Sequence, residues 1–437
     1  ASMNVDEYGK ITPSIDFDSM DIKSTQNIEK VCPFSDQSPN EDEIGKELFG
    51  KTNTYVNSLG YTHSTFAGFV KEGNYRNLGS SGGFGSWIVN YLLKENIVDN
   101  VIHIGERVPT ENDSRIFEYK ISRTEEDVLK GAKSKYYPIE LSGVIDIVVN
   151  TPGTYVIVGV PCFIKSIRNL SKINPIVKER IKYTVGLVCG HLKSKGFAEM
   201  LAWQIGVFPE ELVKIDFRNK LENFGANQYG ITASKIVDDK IVKADYGPVN
   251  EMFGTNWGMG MFKYKACDFC DDVTAETADI TIGDAWLPKY VEDPKGTNII
   301  IVRNKEFAEI LKNAVIKDLI HLDDVTTDEV IESQSSGLFH RREGLSYRLY
   351  ETDKKNEWRP KKRVEASDKL PNKIKKIQDL RVELYKQSHI SLLNAKNSGS
   401  LDVFLNEMAP LVSKYNALYK TSCYKRVKRK LKSIING

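Results

Sequence analysis

The strongest constraint on the fold is an alternation of short apolar runs with amphipathic stretches between about residues 60 and 310. The runs are rich in β-branched residues and bounded by Gly, Pro, Asp or Asn, which is typical of buried strands. They cover residues 100–105, 154–160, 183–189, 278–286 and 298–304. Between them, residues 83–96 and 195–206 have the spacing of amphipathic helices. Strands that alternate with helices predict an α/β fold, with a mixed or parallel sheet as the core and flanking helices.

The two ends of the chain differ from this α/β part, which we place at residues 56–320. Residues 1–55 are polar and rich in Asp, Ser and Asn, so we expect an extended lead-in. Residues 321–437 are highly charged and contain helix-like stretches at 373–387 and 400–419. They predict a helical C-terminal region that carries little obvious chemistry.

Composition limits the class of protein. The 437 residues contain 61 Lys and Arg against 59 Asp and Glu, and the net charge of +2 argues against a globally basic nucleic-acid binder. No apolar run approaches the roughly 18 residues that a membrane helix needs, and no signal peptide is recognisable. Six cysteines are too few for a secreted, disulfide-stapled domain. We therefore expect a cytoplasmic protein without a transmembrane segment, and the sequence leaves a homo-oligomer open.

Four of the six cysteines occur in settings that suit a metal site. Cys267 and Cys270 form a C-x-x-C pair, whereas Cys162 lies just past one predicted buried strand and Cys189 ends another. Ligands of α/β sheets bind where strands end, so four thiolates could meet there. Three interpretations stay open at this point: small buried residues, a structural zinc site, or an iron–sulfur cluster. For Cys32 and Cys423 we expect no such role, because neither has a neighbouring cysteine in the sequence.

A turn rich in glycine and serine comes directly before the first amphipathic helix. It contains Ser80, Ser81, Gly82 and Gly83. Small residues let backbone N–H groups approach an anion, and the start of a helix adds a partial positive charge. The turn therefore suits a pyrophosphate group, although a plain helix-capping turn has the same composition.

Five sequence blocks follow one another in a fixed order between about residues 60 and 350. They are SSGGFGSWIVNYLLKENIVDNVI, SKYYP, VGVPCFIKSIRNL, VGLVCGHLKSKGF and CDFCDDVTAETADITIGDAW. Together they resemble the beta subunits of coenzyme F420-reducing hydrogenases and dehydrogenases, with their bacterial relatives. The order of the blocks and the matching cysteines make the resemblance more specific than any single block.

The resemblance implies a flavoprotein oxidoreductase with FAD and one [4Fe–4S] cluster. The substrate would be a deazaflavin of the coenzyme F420 type or another heteroaromatic molecule. The cluster ligands carried over to this sequence are Cys162, Cys189, Cys267 and Cys270. Two alternatives remain: a bacterial-type reductase of polysaccharide or other biosynthesis that does not use F420, and a zinc-stapled interaction protein.

The other roles that we expect are less specific. Ser80, Ser81, Gly82 and Gly83 would hold the FAD pyrophosphate, and Asp284 and Trp286 of the G-D-A-W block would pack against the cofactor. His191, Lys135 and Lys165 are candidates for proton transfer or charge stabilisation during catalysis. Each group has a purely structural alternative. His191 would support the cysteines, the two lysines would be solvated surface charges, and Asp284 and Trp286 would belong to a tight turn.

The N-terminal lead-in departs from the family pattern. It resembles the end of a ferredoxin module, including Cys32-Pro33, but Ile22, Thr25 and Ile28 occupy the spacings at which cysteines would bind a cluster. One cysteine cannot hold a cluster there. We therefore expect electrons to pass to or from a separate ferredoxin or another carrier subunit. The six Lys and Arg between Lys425 and Lys432 are a candidate docking surface for it.

Overall fold

The computed structural model describes residues 2–16, 21–110 and 113–420, so Cys423 and the basic tail lie outside the described residues. Its strands, numbered in chain order, are β1 (Ser2–Val5), β2 (Ile11–Ser14), β3 (Thr54–Val56), β4 (Gly60–Thr62), β5 (Ser64–Val70), β6 (Asn100–Glu106), β7 (Phe117–Ser122), β8 (Tyr155–Gly159), β9 (Ile181–Leu187), β10 (Lys214–Asn219), β11 (Gly230–Val237), β12 (Lys240–Tyr246), β13 (Ile280–Asp284), β14 (Asn298–Val302) and β15 (Ile320–Asp324).

The α-helices are numbered in the same way. They are α1 (Ile22–Val31), α2 (Glu41–Phe49), α3 (Tyr75–Leu78), α4 (Phe84–Lys94), α5 (Glu125–Lys130), α6 (Ser142–Asn150), α7 (Pro161–Ile173), α8 (Pro175–Arg180), α9 (Lys195–Gln204), α10 (Pro288–Val291), α11 (Lys305–Ile316), α12 (Thr327–Ser333), α13 (Ser335–Arg341), α14 (Glu343–Lys354), α15 (Asn372–Ser398) and α16 (Leu401–Tyr419). Among the short 3₁₀ helices, one spans Lys265–Phe269.

An eight-stranded mixed sheet forms the core, in the order β15-β5-β14-β13-β9-β8-β6-β7. Its four central strands, β6, β8, β9 and β13, are parallel. The outer strands pair antiparallel with their neighbours. The predicted fold class, a mixed sheet with flanking helices and a helical C-terminal region, is confirmed. The parallel strands end at one edge of the sheet, where α/β proteins place their ligands.

Side chains alternate between the two faces of this sheet. Val101 and Val156 face a core formed with α4, α5 and α11. The next residues, Ile102 and Ile157, face a core formed with α6, α7, α9 and the C-terminal helices. Both faces are therefore covered, which explains why the central strands read as continuous apolar runs.

The structure differs from the sequence prediction at both ends. The first 55 residues are not an extended lead-in, because they contain the β1–β2 hairpin and the helices α1 and α2. Local capping explains α2: Asn40 and Glu43 form a capping box around its first turn. At the other end, β15 (Ile320–Asp324) pairs with β5, so the main sheet continues past residue 320.

A second, three-stranded sheet has the order β10-β11-β12 and was not among the predicted strands. Its outermost strand β12, with the sequence KIVKADY, mixes charged and apolar residues without a regular alternation and is mostly exposed. That composition gives no buried-strand signal. Within the described ranges, no helix combines the length and the apolar character that crossing a membrane requires.

Candidate functional site

Two of the candidate cysteines follow neighbouring parallel strands. β8 ends at Gly159 and α7 begins at Pro161, which places Cys162 in the first turn of that helix. β9 ends at Leu187, two residues before Cys189. Because β8 and β9 pair in parallel, both cysteines lie at the same edge of the sheet. The sequence predicts a strand end at each of these cysteines, and their role as ligands stays a prediction.

Backbone pairing brings the C-x-x-C loop to the same edge. An isolated bridge joins Lys193 to Lys263, and the Cys189 N–H donates to the Val273 carbonyl at 3.0 Å. The Leu192 N–H approaches the Cys267 sulfur to 3.4 Å. The segment that follows β9 therefore runs beside the loop that carries Cys267 and Cys270.

The four thiols are close enough to act on one another electrostatically. Burial raises the pKa of Cys162 well above its ordinary value, and the charges of Cys270, Cys189 and Cys267 raise it further. Burial also raises the pKa of Cys189 to about 12. In the described ranges, no group of three or more His, Cys, Asp or Glu side chains has a geometry that could hold a metal ion.

A buried arginine from the C-terminal region completes this group. Arg341, the last residue of α13, is 3% exposed. Its guanidinium donates to the carbonyls of Cys189 and Cys267, at 3.3 Å each, and to the carbonyl of Gly190. Although burial lowers the pKa of Arg341, the four cysteines outweigh burial and raise it. Sequence reasoning missed this residue, because no local pattern ties it to the cysteines.

His191 lies just beyond Cys189 and is buried. Its ring centroid is 4.6 Å from that of Trp257, and its Nε2 atom has no hydrogen-bond partner. Burial lowers the pKa of His191 well below the ordinary value, and the nearby Lys193 lowers it further. The imidazole is therefore neutral, with one free nitrogen in a buried position.

Packing against the chain itself accounts for the two glycines of the glycine-rich turn. A side-chain carbon on Gly82 would lie 2.6 Å from the Gly68 carbonyl oxygen, and one on Gly83 would lie 2.8 Å from the Arg76 nitrogen. Gly83 also has a φ of 91°, in the left-handed region. Both positions therefore exclude side chains for structural reasons, whereas their contact with a pyrophosphate stays a prediction.

The two serines of the turn are tied to neighbouring segments. Ser81 is buried and donates its hydroxyl to the Thr297 carbonyl at 2.9 Å. Ser80 accepts the Ser134 N–H at 2.8 Å through its own hydroxyl. Helix α4 starts just after the turn, and the N–H of its first residue, Phe84, donates to the Asn298 side chain at 3.2 Å.

Cationic side chains that the sequence analysis did not identify surround this turn. Lys220 donates to the backbone carbonyls of Ser81, at 2.9 Å, and of Arg76. Burial lowers the pKa of Lys220 to about 8, and the nearby Arg76 lowers it further. Since both hydrogen-bond acceptors are neutral carbonyls, Lys220 brings a positive charge to the turn that its own hydrogen bonds do not neutralise.

Arg218 connects the turn to the G-D-A-W block. It is 3% exposed, pairs with Asp284 at 2.8 Å, and reaches the Ser80 carbonyl at 3.4 Å. Its guanidinium also lies 5.6 Å from the ring centre of Trp286. The structure therefore places Asp284 and Trp286 beside the glycine-rich turn, as the cofactor prediction requires.

Aromatic rings link the turn to the cysteines. Arg218 reaches the Tyr136 hydroxyl at 3.5 Å, and the rings of Tyr136 and Trp257 are 4.8 Å apart. Trp257 in turn contacts His191, two residues from Cys189. The glycine-rich turn and the cysteine group are thus joined by a continuous series of side-chain contacts.

The two candidate lysines have different surroundings. Lys135 is half-buried next to Ser134, donates to the Ala132 carbonyl at 2.5 Å, and has its pKa lowered by burial to about 8. Lys165 is only 3% exposed and binds Glu41 and the Pro33 carbonyl, each at 3.2 Å. Lys165 therefore anchors the N-terminal segment to α7, and its catalytic role stays a prediction.

One cavity of about 470 Å³ lies away from these residues. Residues 3–7 of the N-terminal hairpin line it together with Arg115, Lys195, Glu199 and Lys396. It contains none of the predicted site residues. Its buried carboxylate, Glu199, is paired with both lysines at 3.1 Å.

Two sequence models of one family match the chain. The N-terminal model of the coenzyme F420 hydrogenase/dehydrogenase beta subunit matches residues 65–146, and the C-terminal model matches residues 153–328. Together the two matches cover more than half of the chain. The chain belongs to this family.

Individual relatives are distant. Coenzyme F420-dependent sulfite reductase of Methanocaldococcus jannaschii is 24% identical over 266 residues, which are 56% of this chain and 36% of that protein. Coenzyme F420 hydrogenase subunit beta of Methanococcus voltae is 25% identical over 189 residues, which are 40% of this chain and 59% of that protein. The chain thus spans about a third of the first relative and under two thirds of the second.

A solved structure supports the fold. A chain of the F420-reducing [NiFe] hydrogenase complex from Methanosarcina barkeri superposes with a TM-score of 0.51 at 17% identity. The match covers 70% of this chain and 97% of that chain. At this identity the likeness establishes the shared fold alone.

Proposed function

We propose that this protein is an FAD- and [4Fe–4S]-dependent oxidoreductase acting on a deazaflavin of the coenzyme F420 type or another heteroaromatic substrate. The observation that carries the proposal is the convergence of Cys162, Cys189, Cys267 and Cys270 around buried Arg341, joined by aromatic contacts to the glycine-rich turn. Family membership and the names of the relatives agree with a redox role.

The cysteine group has the donor chemistry of an iron–sulfur cluster. Cysteine thiolates are the usual ligands of [4Fe–4S] clusters, and each binds its own iron, so the sulfurs need not approach one another as the ligands of a single ion do. Thiolates gathered in a buried place also need positive charge nearby. Arg341 supplies it, and its pKa responds to all four cysteines.

The glycine-rich turn has the charge and shape that suit a pyrophosphate. Lys220 contributes a positive charge that its hydrogen bonds leave unneutralised, and α4 contributes the partial positive charge of its N-terminus, where, within the described part of the chain, only the Phe84 N–H is bound by a side chain, that of Asn298. Tyr136 and Trp257 provide aromatic surface between the turn and the cysteines. When bound, FAD would supply hydride transfer and the cluster single-electron transfer.

The chain's own residues would position these groups and donate or accept protons. Neutral His191, with its free Nε2 atom, can exchange one hydrogen bond or proton with a bound group. The pKa of Lys135, lowered to about 8, keeps that ammonium close to proton release near neutral pH. Arg218 and Asp284 neutralise each other, so they serve to hold the turn and the G-D-A-W block together.

Electron exchange requires a partner. Ile22 and Ile28 stand where a ferredoxin module would have cysteines, and they are 80% and 46% exposed. The single Cys32 cannot bind a second cluster in this segment, so a separate ferredoxin or carrier subunit should exchange electrons with the protein. We accordingly expect about four irons per chain, the content of one [4Fe–4S] cluster.

Anaerobic purification followed by a visible spectrum and by iron, sulfide and FAD analysis tests the proposal. We expect flavin and iron–sulfur absorption, one FAD, and the iron and sulfide of one cluster. Cys267→Ala should remove most of the iron, whereas Cys32→Ala, the matched control at the end of α1, should retain it. Colourless protein with bound zinc would contradict the proposal and favour a zinc-stapled interaction protein. Reduced deazaflavin with an artificial electron acceptor then distinguishes F420 from other substrates.

A further inference from the structure

Arg341 braces two cysteine-bearing segments that are distant in the sequence. One branch of its guanidinium, Nη1, donates to the Cys267 carbonyl at 3.3 Å. The other, Nη2, donates to the Cys189 carbonyl at 3.3 Å and to the Gly190 carbonyl. A planar guanidinium can make both sets of contacts at once, whereas a lysine ammonium presents a single compact group.

Arg341 also acts on the cysteines through its charge, because its side chain is buried beside them. The side chain is 3% exposed, so solvent screens its charge weakly. Carbonyl groups accept its hydrogen bonds, and no carboxylate is among these acceptors. Its positive charge therefore remains available to the four thiols, and guanidinium groups stay protonated at any working pH.

Other charged groups also face the cysteines. Lys193 interacts with Cys267, and Lys362 interacts with Cys270. Besides burial, two acidic side chains, Asp271 and Asp272, raise the pKa of Cys270, whereas Lys362 lowers it. Arg341 differs from these groups because it acts on all four cysteines.

We propose that Arg341 is a positioning residue for the iron–sulfur cluster: it holds the Cys189 and Cys267 segments in register and stabilises the more negative, reduced state of the cluster. The inference rests on the proposed function, since it requires that the cluster is present. It assigns a specific role to the C-terminal helical region, whose sequence carries no metal-ligand motif in its described part.

Four variants separate the geometric contribution from the charge. Arg341→Lys keeps the charge and loses the two-branched brace, whereas Arg341→Gln loses both. Arg342→Lys and Arg342→Gln are the matched controls, because the adjacent Arg342 contacts Glu276 and the Asn57 carbonyl instead. The readouts are iron content after anaerobic purification, the rate of iron release to a chelator, and the cluster midpoint potential from an EPR-monitored titration.

We expect Arg341→Lys to release iron at least about 10-fold faster than wild type, as for other groups that support metal ligands, with a midpoint potential close to wild type. Arg341→Gln should release iron as fast or faster, and its remaining cluster should have a more negative potential. If Arg341→Gln does not fold, the release rate of Arg341→Lys alone decides.

Iron release and potential in the Arg341 variants that match those of the Arg342 controls would overturn the inference while leaving the proposed function intact. Wild-type protein that binds no iron after anaerobic purification would overturn both. The iron content of the wild type therefore distinguishes the two failures.

Discussion

At the scale of single residues, Gly83 in the glycine-rich turn and Gly85 in the helix that follows it have opposite requirements. A side chain on Gly83 would meet backbone at 2.8 Å and would need a φ of 91°, whereas nothing lies within 4 Å of the same position on Gly85. Gly83→Ala should lower the free energy of unfolding by more than about 1 kcal/mol. Gly85→Ala, in the first turn of α4, should raise it by about 0.5–1 kcal/mol. Denaturant unfolding of both variants checks this pair, and equal effects would contradict the packing argument.

The charge of Lys220 gives a second residue-level prediction. Lys220→Met removes the cation at the Ser81 carbonyl and should weaken FAD binding by about 10- to 100-fold, the loss of one charge-assisted contact. Lys243→Met is the matched control, because Lys243 is exposed on β12 of the small sheet whose strand β10 ends just before Lys220. Flavin fluorescence during titration of the apoprotein with FAD measures the difference. Equal affinities in the two variants would exclude Lys220 from the flavin site.

Sequence reasoning finds residues that carry a local signal. Cys267 and Cys270 are recognisable from their spacing, and Cys162 and Cys189 from the strands before them. Arg341 and Lys220 have no such signal, because their contacts join segments that are far apart in the sequence. Only the folded chain reveals these long-range contacts.

At the scale of elements, the predicted strands were accurate where both faces are buried. Strand β14, with the sequence NIIIV, is buried along its whole length and was predicted within two residues of its end. Helix α1 was missed because none of its ten residues is buried and only Ile22, Ile28 and Val31 are apolar. Strand β12 was missed for the same reason. Burial produces the hydrophobic periodicity on which such predictions depend.

An extended stretch between α14 and α15 fastens the N-terminal and cysteine-bearing segments together. Its Arg363 donates to Asp42 at 2.8 Å, to Glu276 at 2.7 Å and to Asp271 at 3.3 Å. Burial raises the pKa of Asp271, but Lys362 and Arg363 outweigh burial and hold it below its ordinary value. Removing the arginine would leave the buried carboxylates of Asp271 and Glu276 with one cationic partner each, Lys362 at 2.7 Å and Arg342 at 3.1 Å.

Arg363→Met should therefore lower the free energy of unfolding by about 3–5 kcal/mol, the usual effect of breaking a buried ion pair. Arg359→Met is the control, because its pair with Asp353 is partly exposed and should contribute about 1 kcal/mol or less. Chemical denaturation of the anaerobic protein measures both. Similar small losses in the two variants would show that the remaining cations compensate for Arg363.

At the scale of the whole molecule, the N-terminal and C-terminal regions both contribute contacts to the cysteine site. In the N-terminal segment, Pro33 accepts a hydrogen bond from Lys165 and Val31 accepts one from Asn169, both on the helix that begins beside Cys162. The C-terminal region contributes Arg341 and, through Arg348, a 3.0 Å contact with the carbonyl of Asp268 in the C-x-x-C loop. The cysteine site thus depends on segments outside the predicted α/β domain.

The same compact packing buries histidines and makes the molecule sensitive to acid. His389 on α15 is 4% exposed, donates Nδ1–H to the Tyr385 carbonyl at 2.7 Å, and has its pKa lowered by burial to about 4. A folded-state pKa below the unfolded value of about 6.5 means that the unfolded chain binds the proton first, so stability is lost as pH falls from about 6.5 towards 4. At about 1.4 kcal/mol per pH unit, His389 alone should reduce the free energy of unfolding by about 2 kcal/mol between pH 7 and pH 5.

His389→Gln should remove that share of the acid sensitivity. Its free energy of unfolding should fall less between pH 7 and pH 5 than that of the wild type, by about 2 kcal/mol, because glutamine does not titrate. His63→Gln is the control, since His63 is exposed on the surface. Urea unfolding of the three proteins at both pH values measures the difference. All three are kept under the same anaerobic conditions, so that any loss of cofactors in acid affects them equally. An identical pH dependence in the three proteins would show that His389 becomes protonated in the folded state, against the burial that the structure gives it.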